Sequence, residues 1–242
     1  MAGSKEQVSG GIKVAERGHF SSETFAFLRD LERNNKRPWF QENKSRYEEE
    51  VKGPALEFIQ DFASHLARLS PHFRADPRAN GGSLFRIHRD IRFSKDKSPY
   101  KTHTGIQFRH EEGRDAHAPG FYLHLEPKQC FVGLGIWRPD GKTLRRIREA
   151  IVDDPMGWKK AVSGAGFKKR LHLSGDRLVR CPRGFDPEHP LIEDLMWKDY
   201  VAMAGITQKA VTAPTFITEY AAYCRAGMPL VTFLCEALDL PV

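Results

Sequence analysis

The stretch SLFRIHRDIRF, residues 83–93, carries a period of two. Phe85, Ile87, Ile91 and Phe93 alternate with Arg86, His88, Asp90 and Arg92, the pattern of a strand with one buried face. Arg89 breaches the apolar row. A charged group there needs a carboxylate partner, which assigns it to the scaffold.

Downstream, the alternation predicts a second strand from about Thr102 to Arg109. Two more, Gly120 to Glu126 and Gln129 to Trp137, are joined as a hairpin through Pro127-Lys128. Upstream the period becomes helical. Ser22 precedes Phe25, Leu28 and Leu31, with Asn34, Asn35 and Pro38 as the stop; Phe40, Asn43, Tyr47 and Val51 mark a second stripe. After Gly53-Pro54, Phe58, Phe62, Leu66 and Leu69 mark a third. Beyond Asp140-Gly141, Leu144, Ile147 and Ile151 read as a helix ended at Asp153-Asp154-Pro155. The segment 170–181 carries weak strand signals, followed by an element at Pro190 to Trp197. Two last helices are expected near Thr215 to Cys224 and Pro229 to Leu238, with Gly227 as the stop between them. The fold class is therefore α+β: an antiparallel meander flanked by N-terminal and C-terminal helices.

Residues 1–17, poor in large apolar side chains, read as a disordered leader, and 18–242 as one domain. With 40% hydrophobic residues and 16 Phe in 242, the chain can bury a substantial core. No apolar run approaches the roughly 20 residues of a membrane helix, and the N-terminus lacks a signal-peptide stretch, so the expectation is a cytoplasmic protein with no membrane partner. Cys130, Cys181, Cys224 and Cys235 contain no CxxC pair and read as reduced, structural thiols.

The net charge of +7 favours acidic partners. Much of it lies in two blocks, 84–101 and 142–183, whereas 17–60 is balanced. In the first block Arg86 and Arg92 share the polar strand face, and the SKDKSP turn adds Ser94, Lys95, Lys97 and Ser98. Guanidinium forks and ammonium point charges together suit a multiply charged anion. Asp90 and Asp96 orient those cations or serve as a general base; a solvated charged face is the plainer alternative.

The strings NNKRPWFQENKSRYEEEV, RDIRFSKDKSPYKTH and FYLHLEPKQCFVGLGIWRPD resemble those of a bacterial and fungal family classed as a domain of unknown function, over about residues 20–240. The resemblance implies a single α+β domain and no assigned activity.

The candidate ligand-binding residues are Arg86, Arg92, Ser94, Lys95, Lys97, Tyr100, Lys101, Trp137 and Arg148, the last placed beside its helix's apolar stripe. The candidate catalytic residues are Asp90 and Asp96. No metal site is assigned; His88, His124 and Glu126 are the weak candidates, since alternation puts Tyr122, His124 and Glu126 on one face near His88 and Asp90. Gly133 and Gly135 form a GxG inside a strand. Such a pair marks a bulge or a close backbone approach, and leaves room for a ligand under Trp137. Trp137, Tyr100, Trp39 and Phe93 are stacking candidates. Three readings follow: an enzyme acting on a phosphorylated small molecule, nucleotide or modified nucleic acid; a non-catalytic nucleic-acid-binding module; and a buried ion-pair network that fixes the turn. No pattern points to a cofactor or to an oligomeric state.

Overall fold

The computed structural model describes residues 18–113 and 118–242, so the expected leader lies outside the described residues. Helices come first: α1 (Ser22–Arg33), α2 (Arg37–Glu42), α3 (Lys44–Tyr47) and, after a π-helical turn at Glu48–Lys52, α4 (Gly53–Ala67). Strands β1 (Thr104–Arg109), β2 (Gly120–Leu125) and β3 (Cys130–Ile136) follow, then α5 (Gly141–Asp153), α6 (Pro155–Ser163), α7 (Ala165–Arg170) and β4 (His172–Ser174). The chain closes with α8 (Ile192–Leu195), β5 (Tyr200–Ile206), α9 (Gln208–Val211) and α10 (Phe216–Ala237). The fold is α+β.

Helix α1 starts on a reciprocal cap. The Ser21 hydroxyl accepts from Glu23 N–H, and Ser21 N–H donates to Thr24 Oγ1 at 3.2 Å. The stripe expected to run unbroken from Phe40 to Val51 is interrupted at Asn43 and widens into the π-turn. Pro54 supplies the reason. It has no N–H for the carbonyl of Glu50, so the turn opens, Gly53 N–H reaches Glu48, and the Glu50 carbonyl instead accepts the Thr24 hydroxyl at 2.7 Å.

The five strands form one antiparallel sheet in the order β1-β2-β3-β5-β4. One face, with Ile106, Phe108, Phe121, Leu123, Val132, Leu134, Ala202 and Ala204, is buried in the same core as Phe58 and Phe62 of α4, Trp158 of α6 and Leu230 and Leu234 of α10. The opposite row, Gln107, Tyr122, Phe131, Val201 and Met203, remains partly exposed. A second small core joins Phe27, Leu28 and Leu31 of α1 to Phe40, Tyr47, Val51, Ile87 and Tyr100.

At the C-terminal end one strand went unread and one expectation is corrected. Strand β5, YVAMAGI, pairs along the whole of β3, although its alanines and glycine gave little strand signal. The two expected last helices are one, α10, which runs through Pro229. Gly227 is no stop: a side chain there would collide with Leu134 of β3, so the missing Cβ lets helix and sheet approach closely.

The expected first strand is also corrected. Residues 84–89 run antiparallel to 99–106 with isolated bridges at Leu84–Ile106 and His88–Tyr100 rather than a continuous ladder. Phe85 N–H bonds the Gly105 carbonyl and Lys101 N–H bonds the Ile87 carbonyl, so the one residue between Phe85 and Ile87, Arg86, faces the longer return segment 102–104, which bulges at Thr102 and His103. The interruption splits the apolar row. Leu84 enters the main core, Phe85 lies over the open sheet face, Ile87 enters the small core, and Phe93 is 95% exposed.

Candidate functional site

The open face of the sheet carries a pocket of about 310 Å³, and strand register explains why it is there. Gly133 of β3 stands between Tyr122 of β2 and Met203 of β5; Gly135 stands between Gly120 and Val201. Missing side chains in adjacent strands leave a floor of backbone. Phe85, Tyr122, Phe131 and Trp137 form aromatic walls, with Gln107, Val201 and Met203 between them. Gly135 has φ +115°, and a side chain on it would meet the Tyr200 carbonyl, so this glycine is fixed by the backbone. Gly133 is different. A Cβ there would find only ordinary contacts at 3.8 Å, so its absence serves the space above it.

The aromatic row continues past the pocket. Tyr122 lies 6.0 Å from Phe85 and 5.8 Å from Phe131 between ring centres. His124 stacks on Phe131 at 4.6 Å, and His103, delivered by the bulge, stacks on the other side of His124 at 4.4 Å. Polar contacts link the same side chains. The Tyr122 hydroxyl meets His124 Nδ1 at 3.1 Å, His124 Nε2 meets Glu126 Oε2 at 3.3 Å, and Thr102 Oγ1 donates to Glu126 Oε1 at 3.2 Å. Burial lowers the pKa of both imidazoles, His103 to about 4, and pushes the Tyr122 phenol up to about 12.

Of the residues expected to bind a ligand, Trp137 lines this pocket and Lys101 reaches its wall, its Nζ lying 5.4 Å from the Phe85 ring centre. Lys101 also donates to the Arg86 carbonyl at 2.9 Å, and burial followed by repulsion from Arg86 lowers its pKa. The rest of the loop largely bonds to itself. Arg89 pairs with Asp96, Arg92 with Asp90 at 2.7 Å, and Lys97 donates to the Ile91 carbonyl, while Ser94 Oγ accepts from Arg89 at 3.5 Å. The network lies at the surface rather than buried. Asp90 and Asp96 are exposed and held ionised below the usual carboxylate range, Asp90 chiefly by Arg92 and Asp96 chiefly by Ser98. Arg86 and Lys95 are exposed.

Tyr100 stacks on Phe40 at 4.1 Å in the small core, where Asn35 bonds both its backbone N–H and its carbonyl, so its ring is an anchor for the loop. Arg148 does turn inward, but its guanidinium donates to the carbonyls of Leu195 and Trp197 at 2.7 and 3.0 Å, where it tethers the end of α8. His88 packs on Tyr100 rather than joining His124 and Glu126. Among the described residues no group of three or more His, Cys, Asp or Glu is arranged to hold a metal. None of the described helices is long and apolar enough to cross a membrane. Alternation marked Phe85 and Tyr122, but Phe131 and His103 were not singled out, because which strands lay side by side was not readable.

Fold and site together define an α+β protein whose antiparallel sheet is packed on one face and opens on the other into a glycine-floored, aromatic-walled pocket. The chain belongs to the family described as conserved hypothetical protein DUF2461, whose model matches residues 23–233. No curated protein matches it.

Proposed function

We propose that the protein binds a small, flat, ring-bearing anion in the open-face pocket, the ring lying over Gly133 among Phe85, Tyr122, Phe131 and Trp137 and the anionic end held at Lys101. The observation that carries this is the glycine floor: a backbone surface among four aromatic walls leaves a ring-sized space in the exposed face of the sheet. Lys101 supplies charge from the Arg86–Lys101 segment, and Arg86 strengthens the positive potential beside it. The remainder of the loop, Arg92, Ser94, Lys95 and Lys97 included, is read as an outer guide for anions.

The test fills the floor. Binding of phenylpyruvate and adenosine monophosphate is measured by calorimetry against neutral analogues. Gly133→Val should abolish binding while changing stability by less than about 1 kcal/mol, since its Cβ fits. Lys101→Ala should weaken binding about tenfold, as loss of one charge-assisted contact would. Retained affinity in Gly133→Val would sink the pocket reading.

A second reading has its own observation. Phe93 is 95% exposed beside Arg92, an aromatic and a cation at the tip of a basic loop, which suits a single-stranded nucleic acid. Affinity for an oligonucleotide that falls steeply with salt and is lost in Phe93→Ala, with Gly133→Val unchanged, would favour it.

A further inference from the structure

From the chain of contacts that runs from Glu126 through His124 to Tyr122, we infer that the open-face pocket is a proton-transfer centre for a ring-bearing carbonyl acid with an enolisable C–H. This rests on the pocket reading above. Glu126, His124 and Tyr122 occupy alternate positions of one edge-to-edge row on β2 and its continuation, so the strand itself sets their spacing. The Glu126 carboxylate accepts the Nε2–H of His124 at 3.3 Å and is itself steadied by the Thr102 hydroxyl at 3.2 Å. A neutral imidazole protonated on Nε2 has its lone pair on Nδ1, and that atom faces the Tyr122 hydroxyl at 3.1 Å. The phenol proton therefore points at His124. The donating phenol oxygen keeps its lone pairs for a ligand; its ring walls the pocket and its hydroxyl lies against Gly105.

Two features set the starting state of the relay. The His103 and Phe131 rings clamp His124 from both sides, fixing the plane in which Nδ1 meets the phenol. Burial keeps His124 unprotonated at neutral pH, so its lone pair is available.

The step balances without a cofactor. The C–H bond of the bound acid breaks and its electron pair forms the enolate; the proton passes to the Tyr122 oxygen while the phenol's own proton passes to His124 Nδ1. The resulting imidazolium is stabilised by the Glu126 carboxylate. Return of the proton to the enolate oxygen gives the enol, so the net change is a tautomerisation. Tyr122 is the catalytic residue; His124 and Glu126 are positioning residues that act through it.

The experiment has two arms on the full chain. In the first, histidine is labelled with ¹⁵N, and the His124 ring is assigned from the His124→Gln variant. The expected state is the Nε2–H tautomer, with an Nδ1 signal that moves in Tyr122→Phe. An Nδ1–H tautomer would overturn the relay, because His124 would then donate to the phenol. In the second, deuterium wash-in at the methylene of phenylpyruvate is followed by proton NMR. Wild-type protein should accelerate exchange; Tyr122→Phe should lower the rate at least 100-fold with affinity kept within threefold, and Glu126→Gln should lower it about tenfold. Binding without accelerated exchange, or exchange unchanged in Tyr122→Phe, overturns the proposal. Failure of phenylpyruvate to bind would overturn the pocket reading instead, and the tautomer then decides the relay.

Discussion

His103 is an imidazole that the fold keeps without its proton. Its pKa drops to about 4 from an ordinary 6.5, first through burial and then through its neighbour His124. Between those values the unfolded chain takes up a proton that the folded one refuses, so stability should fall as pH drops from about 6.5 to 4 and stay level above. Allowing for its partial exposure, the contribution is about 1–2 kcal/mol. Urea titrations across this range should show a shallower slope for His103→Gln. His65 and His124, also lowered by burial, remain in both proteins and account for residual slope; equal slopes would remove His103 from the account. At this scale the sequence was informative about exposure and poor about neighbours. Arg86, His88, Asp90 and Arg92 are all exposed, as alternation implied. Tyr100 and Arg148 were both misplaced as ligand arms, because period reports a face and says nothing of which carbonyl or ring lies across from it.

At the scale of elements, the junction of the π-turn and α4 depends on one hydroxyl. Thr24 is fully buried and gives the Glu50 carbonyl the donor that Pro54 lacks. Thr24→Val keeps the shape and removes that donor. It should cost about 1–3 kcal/mol, the penalty of a buried unsatisfied carbonyl, together with part of the α1 cap. Chemical denaturation measures it; a loss below a few tenths would mean that solvent replaces the hydroxyl. The helices of the N-terminal third were legible from their stripes, but the π-turn at Glu48–Lys52 was not, since it reflects the missing N–H of Pro54 rather than a change of hydropathy. The bulge at Thr102–His103 was likewise hidden. It arises from a mismatch between two segments, and neither segment alone contains it.

Across the whole molecule, the hairpin β2–β3 and the antiparallel helix-flanked plan were readable, whereas the centre-right of the sheet was not. Strand β5 carries its strand-forming side chains, Tyr200, Val201 and Ile206, towards its ends; along its middle Ala202 and Ala204 face the core and Gly205 carries nothing, so that part is held by its place beside β3 and β4. The same placement makes the pocket, because Val201 and Met203 complete a wall that the meander alone would lack. Gly133→Val and the two-arm relay test therefore probe a site assembled from both ends of the chain.

The pairing of β3 with β5 joins Cys130 to Ile206 and Ile136 to Tyr200. Such partners, roughly seventy residues apart, must close a long loop before the ladder rewards it, which places sheet completion late in folding. During synthesis β3 waits with one edge bare while α5, α6 and α7 are made. A chain truncated at residue 190 should thus retain the hairpin yet expose the Cys130–Ile136 edge to other copies. Expressed alone, it should sediment as aggregate where the full chain stays dispersed, and a dispersed, monomeric fragment would show that the edge is shielded by something other than β5.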